Sequence, residues 1–208
     1  MPEGGALVVD TGYAVLALIA DVLVLSTLVG FLVSRTSPAR RERWTRLRDA
    51  VTPFAVHAAW IVAVLATLGS VYQSQIANLP ICEFCWFQRI AMYPLSVLLG
   101  IAAFRGEFLV AKHYFLPASI VGSCLAIYHY QLERIPNQPT TCGNAIPCSH
   151  SAFNIFGFIS IPFLSMSAFL LITTLLLMVR RSDQEYEDDD EDAPIDAAPA
   201  HPGLHAPA

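Results

Sequence analysis

Apolar residues gather into five runs along this chain, at about residues 13–33, 53–73, 82–104, 114–130 and 155–179, with shorter polar stretches between them. A helix rises about 1.5 Å per residue, so about 20 apolar residues cross a hydrocarbon layer. The pattern predicts an all-α integral membrane protein of five helices. The segment 131–154 carries Pro136, Pro139, Gly143 and Pro147, so it is read as a turn-rich loop. Residues 182–208 are acidic and then Ala/Pro-rich; they lack the apolar content to build a core and are expected to be disordered.

Composition supports a bilayer. The chain is 55% hydrophobic, has mean hydropathy +0.52, and is only 14% charged. Its net charge of -5 comes from the tail, where nine of the seventeen acids fall between Asp183 and Asp196. No basic–aromatic patch suggests nucleic acid.

Charge also predicts orientation. No basic residue precedes the first run, and six arginines follow it (Arg35, Arg40, Arg41, Arg43, Arg46, Arg48), the reverse of a secretory signal. It therefore reads as an anchor with its N-terminus outside. Cytoplasmic segments are then 34–52, 105–113 and 180 onward, and they hold ten of the twelve Lys and Arg residues. Arg89 and Arg134 remain on the outer side, together with all of Cys82, Cys142 and Cys148. Disulfides form and persist in that compartment.

The chemistry centres on Cys82-Glu83-Phe84-Cys85-Trp86-Phe87-Gln88-Arg89. Residues three and four apart share a helix face, which places the two thiols together and Arg89 one turn further on. A neighbouring cation favours a thiolate. A CxxC pair serves redox work or metal binding, and a second pair, Cys142 and Cys148, reads alone as a loop staple. Two dithiols facing one compartment can instead exchange a disulfide, while a four-cysteine zinc site is the rival reading. His129 falls at the outer end of the fourth run, level with the CxxC, where it either donates to a redox ligand or packs as an interfacial residue. His57 and Cys124 read as structural, and His150 is placed to act on Cys148. Trp86, Phe87 and Tyr93 form an interfacial belt or a wall for a flat ring. Asp21 lies inside the first run, where an acid needs a partner helix or water.

Cys82 to Arg89, then Met92-Tyr93-Pro94, Tyr128-His129-Tyr130, the Cys142…Pro147-Cys148 loop and Phe156-Gly157-Phe158…Ile161-Pro162 resemble the disulfide bond formation protein B (DsbB) family, in its short-loop BdbC-like branch. The resemblance covers roughly residues 54–180. It implies a four-helix membrane bundle, here with one additional N-terminal transmembrane helix. It also implies a bacterial inner-membrane enzyme that reoxidises an extracytoplasmic thioredoxin-fold (DsbA-like) thiol oxidase and passes electrons to a membrane quinone, ubiquinone or menaquinone. Position by position, Cys142 resembles the cysteine that joins the soluble partner and Cys148 its mate, which exchanges with Cys82. Cys85 resembles the thiolate at the quinone, Arg89 the residue holding a quinone oxygen, and His129 a histidine near the quinone. A vitamin K epoxide reductase-like enzyme is the nearer alternative; it would place a different environment around the CxxC than Gln88-Arg89. The expected divisions are an anchor helix (1–34), a basic cytoplasmic loop (35–52), the oxidoreductase bundle (53–181) and the acidic tail (182–208).

Overall fold

Each apolar run becomes a helix, and its ends are set by local chemistry. The computed structural model describes residues 3–135, 138, 142, 147–149 and 154–180. Among these are α1 (Glu3–Ser34), α2 (Pro38–Val71, continued by a π-helical turn at Tyr72–Ile76), α3 (Glu83–Arg105), α4 (Phe108–Arg134) and α5 (Ile161–Met178). All five are long and apolar enough to cross a membrane. His150, Gly143, Pro136, Pro139, Arg181 and the tail 182–208 lie outside the described residues.

Several boundaries differ from the sequence expectation. Helix α1 begins at Glu3 rather than near Tyr13, and α4 ends at Arg134 rather than near Tyr130. Three further differences have clear causes. The expected loop 35–52 is mostly helix: α2 begins at Pro38 and runs through Pro53 without a break. Proline suits the first turn of a helix, and the Ala, Arg, Glu and Leu residues that follow are strong helix formers. Helix α4 starts at Phe108 rather than near Tyr114, because Lys112 does not interrupt it. The Lys112 ammonium reaches out of the apolar face to the Val179 carbonyl (2.6 Å). Helix α5 starts six residues late. Phe156 and Gly157 take left-handed backbone angles (φ 55° and 78°), forming a tight turn closed by the Ile155–Ile159 bridge. That turn is clamped to α4: the Tyr130 hydroxyl donates to the Phe158 carbonyl (3.0 Å) and Arg134 donates to the Gly157 carbonyl (3.0 Å).

Helices α2 to α5 enclose the core. Val56, Ala59 and Ala63 of α2 meet Leu95 and Leu99 of α3, Ala126 of α4, and Phe169, Ile172 and Leu176 of α5. The α3–α4 connection is only Gly106-Glu107, which forces the two helices antiparallel. Gly106 makes it possible, with φ of 73°; the Glu107 N–H then returns to the Ala102 carbonyl (3.0 Å). At the same end of the bundle Arg48 donates to the Leu177 carbonyl (2.8 Å) and Thr52 to that of Met178 (3.3 Å). With Lys112, they satisfy the last carbonyls of α5, which have no intrahelical partner.

Between apolar helices in lipid, association depends on close packing. Gly122 of α4 faces the fully buried Phe169 ring of α5, and a Cβ there would overlap the ring. Gly122→Ala is therefore expected to destabilise the bundle by about 1–3 kcal/mol. A lowered unfolding midpoint of the purified protein in detergent checks this, and an unchanged midpoint would show that the α4–α5 contact tolerates extra volume.

Helix α1 packs outside this core, on α5 and α2. Ala14, Ala17 and Ala20 form its buried side, while Val22, Leu25, Leu28 and Val29 stay exposed. Asp21 is held across that contact, accepting a hydrogen bond from the Ser167 hydroxyl of α5 (3.1 Å).

Candidate functional site

The CxxC opens α3. Cys82 is the N-cap, with extended backbone, and its sulfur accepts the Cys85 backbone N–H (3.4 Å). This is the work a serine or aspartate does at other helix starts. Its position at the helix N-terminus, where the unsatisfied N–H groups carry partial positive charge, favours a thiolate. The two cysteine sulfurs are 2.9 Å apart and not bonded.

On its other side, the Cys82 sulfur lies 3.4 Å from Nε2 of His129, a buried residue of α4. Nδ1 of that ring is 3.1 Å from the Gln88 side-chain nitrogen. An amide N–H donated to Nδ1 leaves the imidazole proton on Nε2, aimed at the sulfur. The Cys85 thiol, donating to Cys82, is the largest influence that pulls the Cys82 pKa down to about 4; the His129 contact adds to it, and burial opposes both. Cys82 is thus a thiolate above that pH. In the reduced protein, its alkylation rate is expected to stay nearly flat from neutral pH down to about pH 5 and to halve near pH 4. An ordinary thiol, with pKa about 8.5, would lose about tenfold per pH unit over the same range. Mass-resolved alkylation of Cys82 separates the two profiles, and His129→Ala should move the midpoint upward.

Cys85 faces the other way. With Arg89, Gln88 and Tyr93 it lines a cavity of 240 Å³ bounded by α1, α2, α3 and α5. The Arg89 guanidinium is held by α2: Nε donates to the Ser70 hydroxyl (2.9 Å) and a terminal nitrogen to the Ser70 carbonyl (3.0 Å). It also lies over the Trp86 ring, 5.4 Å from the centroid. Tyr13, Ala17 and Ala20 of α1 form the outer wall, and the Tyr13 hydroxyl donates to the Leu65 carbonyl of α2 (3.3 Å).

The structure brings Cys82, Cys85, Arg89 and His129 to one end of the bundle but divides them. No residue of α4 lines the cavity. His129 instead packs behind Cys82, stacked on Phe84 with ring centroids 5.7 Å apart. It packs with the first cysteine and is not among the residues that line the cavity.

Cys142 and Cys148 are joined as a disulfide, with Cα atoms 6.1 Å apart. Cys148 shares a buried cluster with Cys82, Phe84 and Leu132, and Cys142, Cys85 and Leu125 pack against it. Bonded to each other, the Cys142 and Cys148 sulfurs are not free thiolate ligands for a four-cysteine zinc site. The metal-capable group among the described residues is Cys82, Cys85 and His129, whose donor atoms lie within 4.8 Å of one another. His57 sits far from this end, edge-on to Phe104 and Phe108, and Cys124 is exposed on α4. Trp86 and Phe87 are about half exposed, as a belt requires, whereas Tyr93 belongs to the cavity wall.

Sequence reasoning did not assign Gln88, Ser70 or the α1 residues. Gln88 had a signal, since it stands three residues past Cys85 on the same helix. Ser70 and Tyr13 had none short of the packing itself.

Comparison with known proteins falls on the same segment. The family profile described as Disulfide bond formation protein DsbB matches residues 52–179. Disulfide bond formation protein C of Bacillus subtilis is 47% identical over 119 residues, 56% of this chain and 86% of that protein. A probable disulfide formation protein of Coxiella burnetii is 43% identical over 123 residues, 58% of this chain and 83% of its own length. A probable disulfide formation protein C 1 of Bacillus cereus is 38% identical over 128 residues, covering 60% and 91%. No solved structure matches the chain. Helix α1 and the first turns of α2 precede the matched segment.

Proposed function

Because this chain belongs to the Disulfide bond formation protein DsbB family, membrane oxidoreductases that generate disulfides, we propose that it is a thiol:quinone oxidoreductase serving a thioredoxin-fold thiol oxidase outside the cytoplasm. The observation that carries this is the division of the CxxC. One sulfur, Cys82, is packed with the loop disulfide, and the other, Cys85, opens into an apolar cavity beside a fixed guanidinium.

The steps balance as two dithiol–disulfide exchanges. A thiolate of the reduced partner attacks Cys142, breaking its bond to Cys148 and forming a mixed disulfide; the partner's second thiol resolves it and leaves as part of an oxidised partner. The Cys148 thiolate then attacks Cys82 of an oxidised CxxC, displacing Cys85, and Cys142 resolves that bond to restore the loop disulfide. The CxxC is left as a dithiol, holding two electrons and two protons. A bound quinone supplies the chemistry that accepts both.

The cavity suits such a ligand. At 240 Å³ it falls below the range of about 300–1,000 Å³ that holds a whole drug-sized molecule, so it fits one substituted ring with the isoprenoid tail left in lipid. Arg89 is placed to hold a ring oxygen and to stabilise negative charge developing there. Ser70 fixes it in that position, and α1 keeps water from the wall opposite. The positive-inside bias of the basic residues at the far end of the bundle supports a cytoplasmic position for that end, with both cysteine pairs outside.

Arg89→Ala tests the cavity's role. Losing a hydrogen bond to a charged group is worth about 1.5–3 kcal/mol, so the KM for quinone should rise roughly ten- to hundredfold. Exchange between the two cysteine pairs, followed by thiol trapping in the absence of quinone, should proceed as before. An unchanged quinone KM would remove the cavity from the account.

A further inference from the structure

A second cavity lies at the opposite end of the bundle, away from every cysteine discussed. It measures 710 Å³ and is formed where α1 turns into α2 and α5 ends. Among the described residues four arginines line it, Arg35, Arg41, Arg48 and Arg180, and no acid does. One of the four is shared, since Arg180 pairs with Asp49 at 3.5 Å on an exposed edge. Ser37 and Pro38 bring the N-terminal end of α2 to the same space, and the Ser37 hydroxyl caps no backbone N–H.

Two donors in this wall are unspent. Trp44 Nε1 and Arg48 Nε are both buried without a hydrogen-bond acceptor among the described residues. A buried donor left unpaired is costly, and here two of them accompany an excess of positive charge. An anion with several acceptor oxygens answers both needs. The surroundings say which anion. Phe31 and Trp44 pack at the rim with rings 6.3 Å apart, and the α1 face leading to it exposes Leu25, Leu28 and Leu32. That is a headgroup-sized basic space opening on a strip made for acyl chains.

We propose that this cavity binds the phosphate of an anionic phospholipid, with Arg35, Arg41, Arg48 and the Trp44 indole as donors and the exposed α1 face beneath its tails. Such a site would fix α1 to α2 at the end of the bundle farthest from the redox centre. The site is independent of the thiol chemistry. It lies mostly outside the segment that matches the family, since Arg48 and the residues before it precede residue 52.

The full-length protein in zwitterionic detergent tests this. It is titrated separately with dioleoylphosphatidylglycerol, dioleoylphosphatidylcholine and inorganic phosphate, with thermal unfolding and tryptophan fluorescence as readouts. Phosphatidylglycerol should raise the unfolding midpoint in a saturable way, and the other two should not. Arg35→Gln and Arg41→Gln, both at exposed positions where folding is not at stake, should each weaken binding about fivefold. Trp44→Phe should weaken it while keeping the ring in place. Equal responses to the two lipids would overturn the proposal, as would a full response to phosphate alone or wild-type affinity in all three variants. A variant with the acidic tail neutralised (Asp188→Asn, Asp189→Asn and Asp190→Asn) closes the remaining case. If only that protein responds, the chain's own carboxylates fill the cavity, and the lipid assignment fails.

Discussion

Cys85→Ser is expected to drop quinone reduction by a reduced thiol-oxidase partner to the uncatalysed background. Cys85 is the sulfur that lines the cavity with Arg89, while Cys82 is turned toward His129 and the loop disulfide. Serine keeps the size and the helix start but removes the only group there that can be oxidised to a disulfide with Cys82. The variant should also leave a trace that a merely misfolded protein would not. Its Cys82 thiolate can still attack Cys148 of the loop disulfide, and the displaced Cys142 thiolate can only return the bond to the loop, since no Cys85 remains to carry it onward. Alkylating the freed Cys142 blocks that return, so a Cys82–Cys148 linkage should then accumulate and be visible in a non-reducing peptide map. Unchanged turnover in Cys85→Ser would end the proposed route.

Cys148→Ala should fail at the other end of the relay. Cys142 is then a lone thiol that can join the partner only by attacking the disulfide of added oxidised partner, and it has no mate through which to pass electrons to Cys82. Turnover should fall to background, and oxidised partner added before an alkylating quench should be caught on Cys142 as a mixed disulfide that survives denaturation and disappears on reduction. Cys142→Ala should trap nothing. The contrast between the two alanine variants separates a directional relay from a pair of loop cysteines that only stabilise the fold, since a staple would lose stability equally from either side.

Much of this architecture could be read before any coordinates, because length and apolarity are local properties. The five runs each became one helix, and the CxxC and Arg89 share a helix end because spacing of three and four residues dictates it. Local signals failed where a residue's fate depended on its neighbours in space. Pro53 read as a boundary, yet strong helix formers on its N-terminal side carried α2 through it. His129 stood level with the CxxC along the bundle, but levels do not say which side of α3 it meets; α4 packs away from the cavity and delivers it to Cys82. In sequence the first helix reads only as an apolar anchor that carries Asp21. Its placement of Tyr13 and Ala17 in the cavity wall follows from packing on α2 and α5, which no periodicity encodes.

The most direct test is an electron count. The fully reduced protein, mixed anaerobically with excess quinone, is followed by quinol absorbance and by free-thiol titration of each cysteine. The relay predicts that Cys82, Cys85, Cys142 and Cys148 all lose their thiols as two quinols form per chain, with Cys124 left free. If quinol forms while Cys142 and Cys148 stay reduced, the two pairs do not communicate; if no quinol forms, the cavity beside Cys85 does not do the chemistry assigned to it.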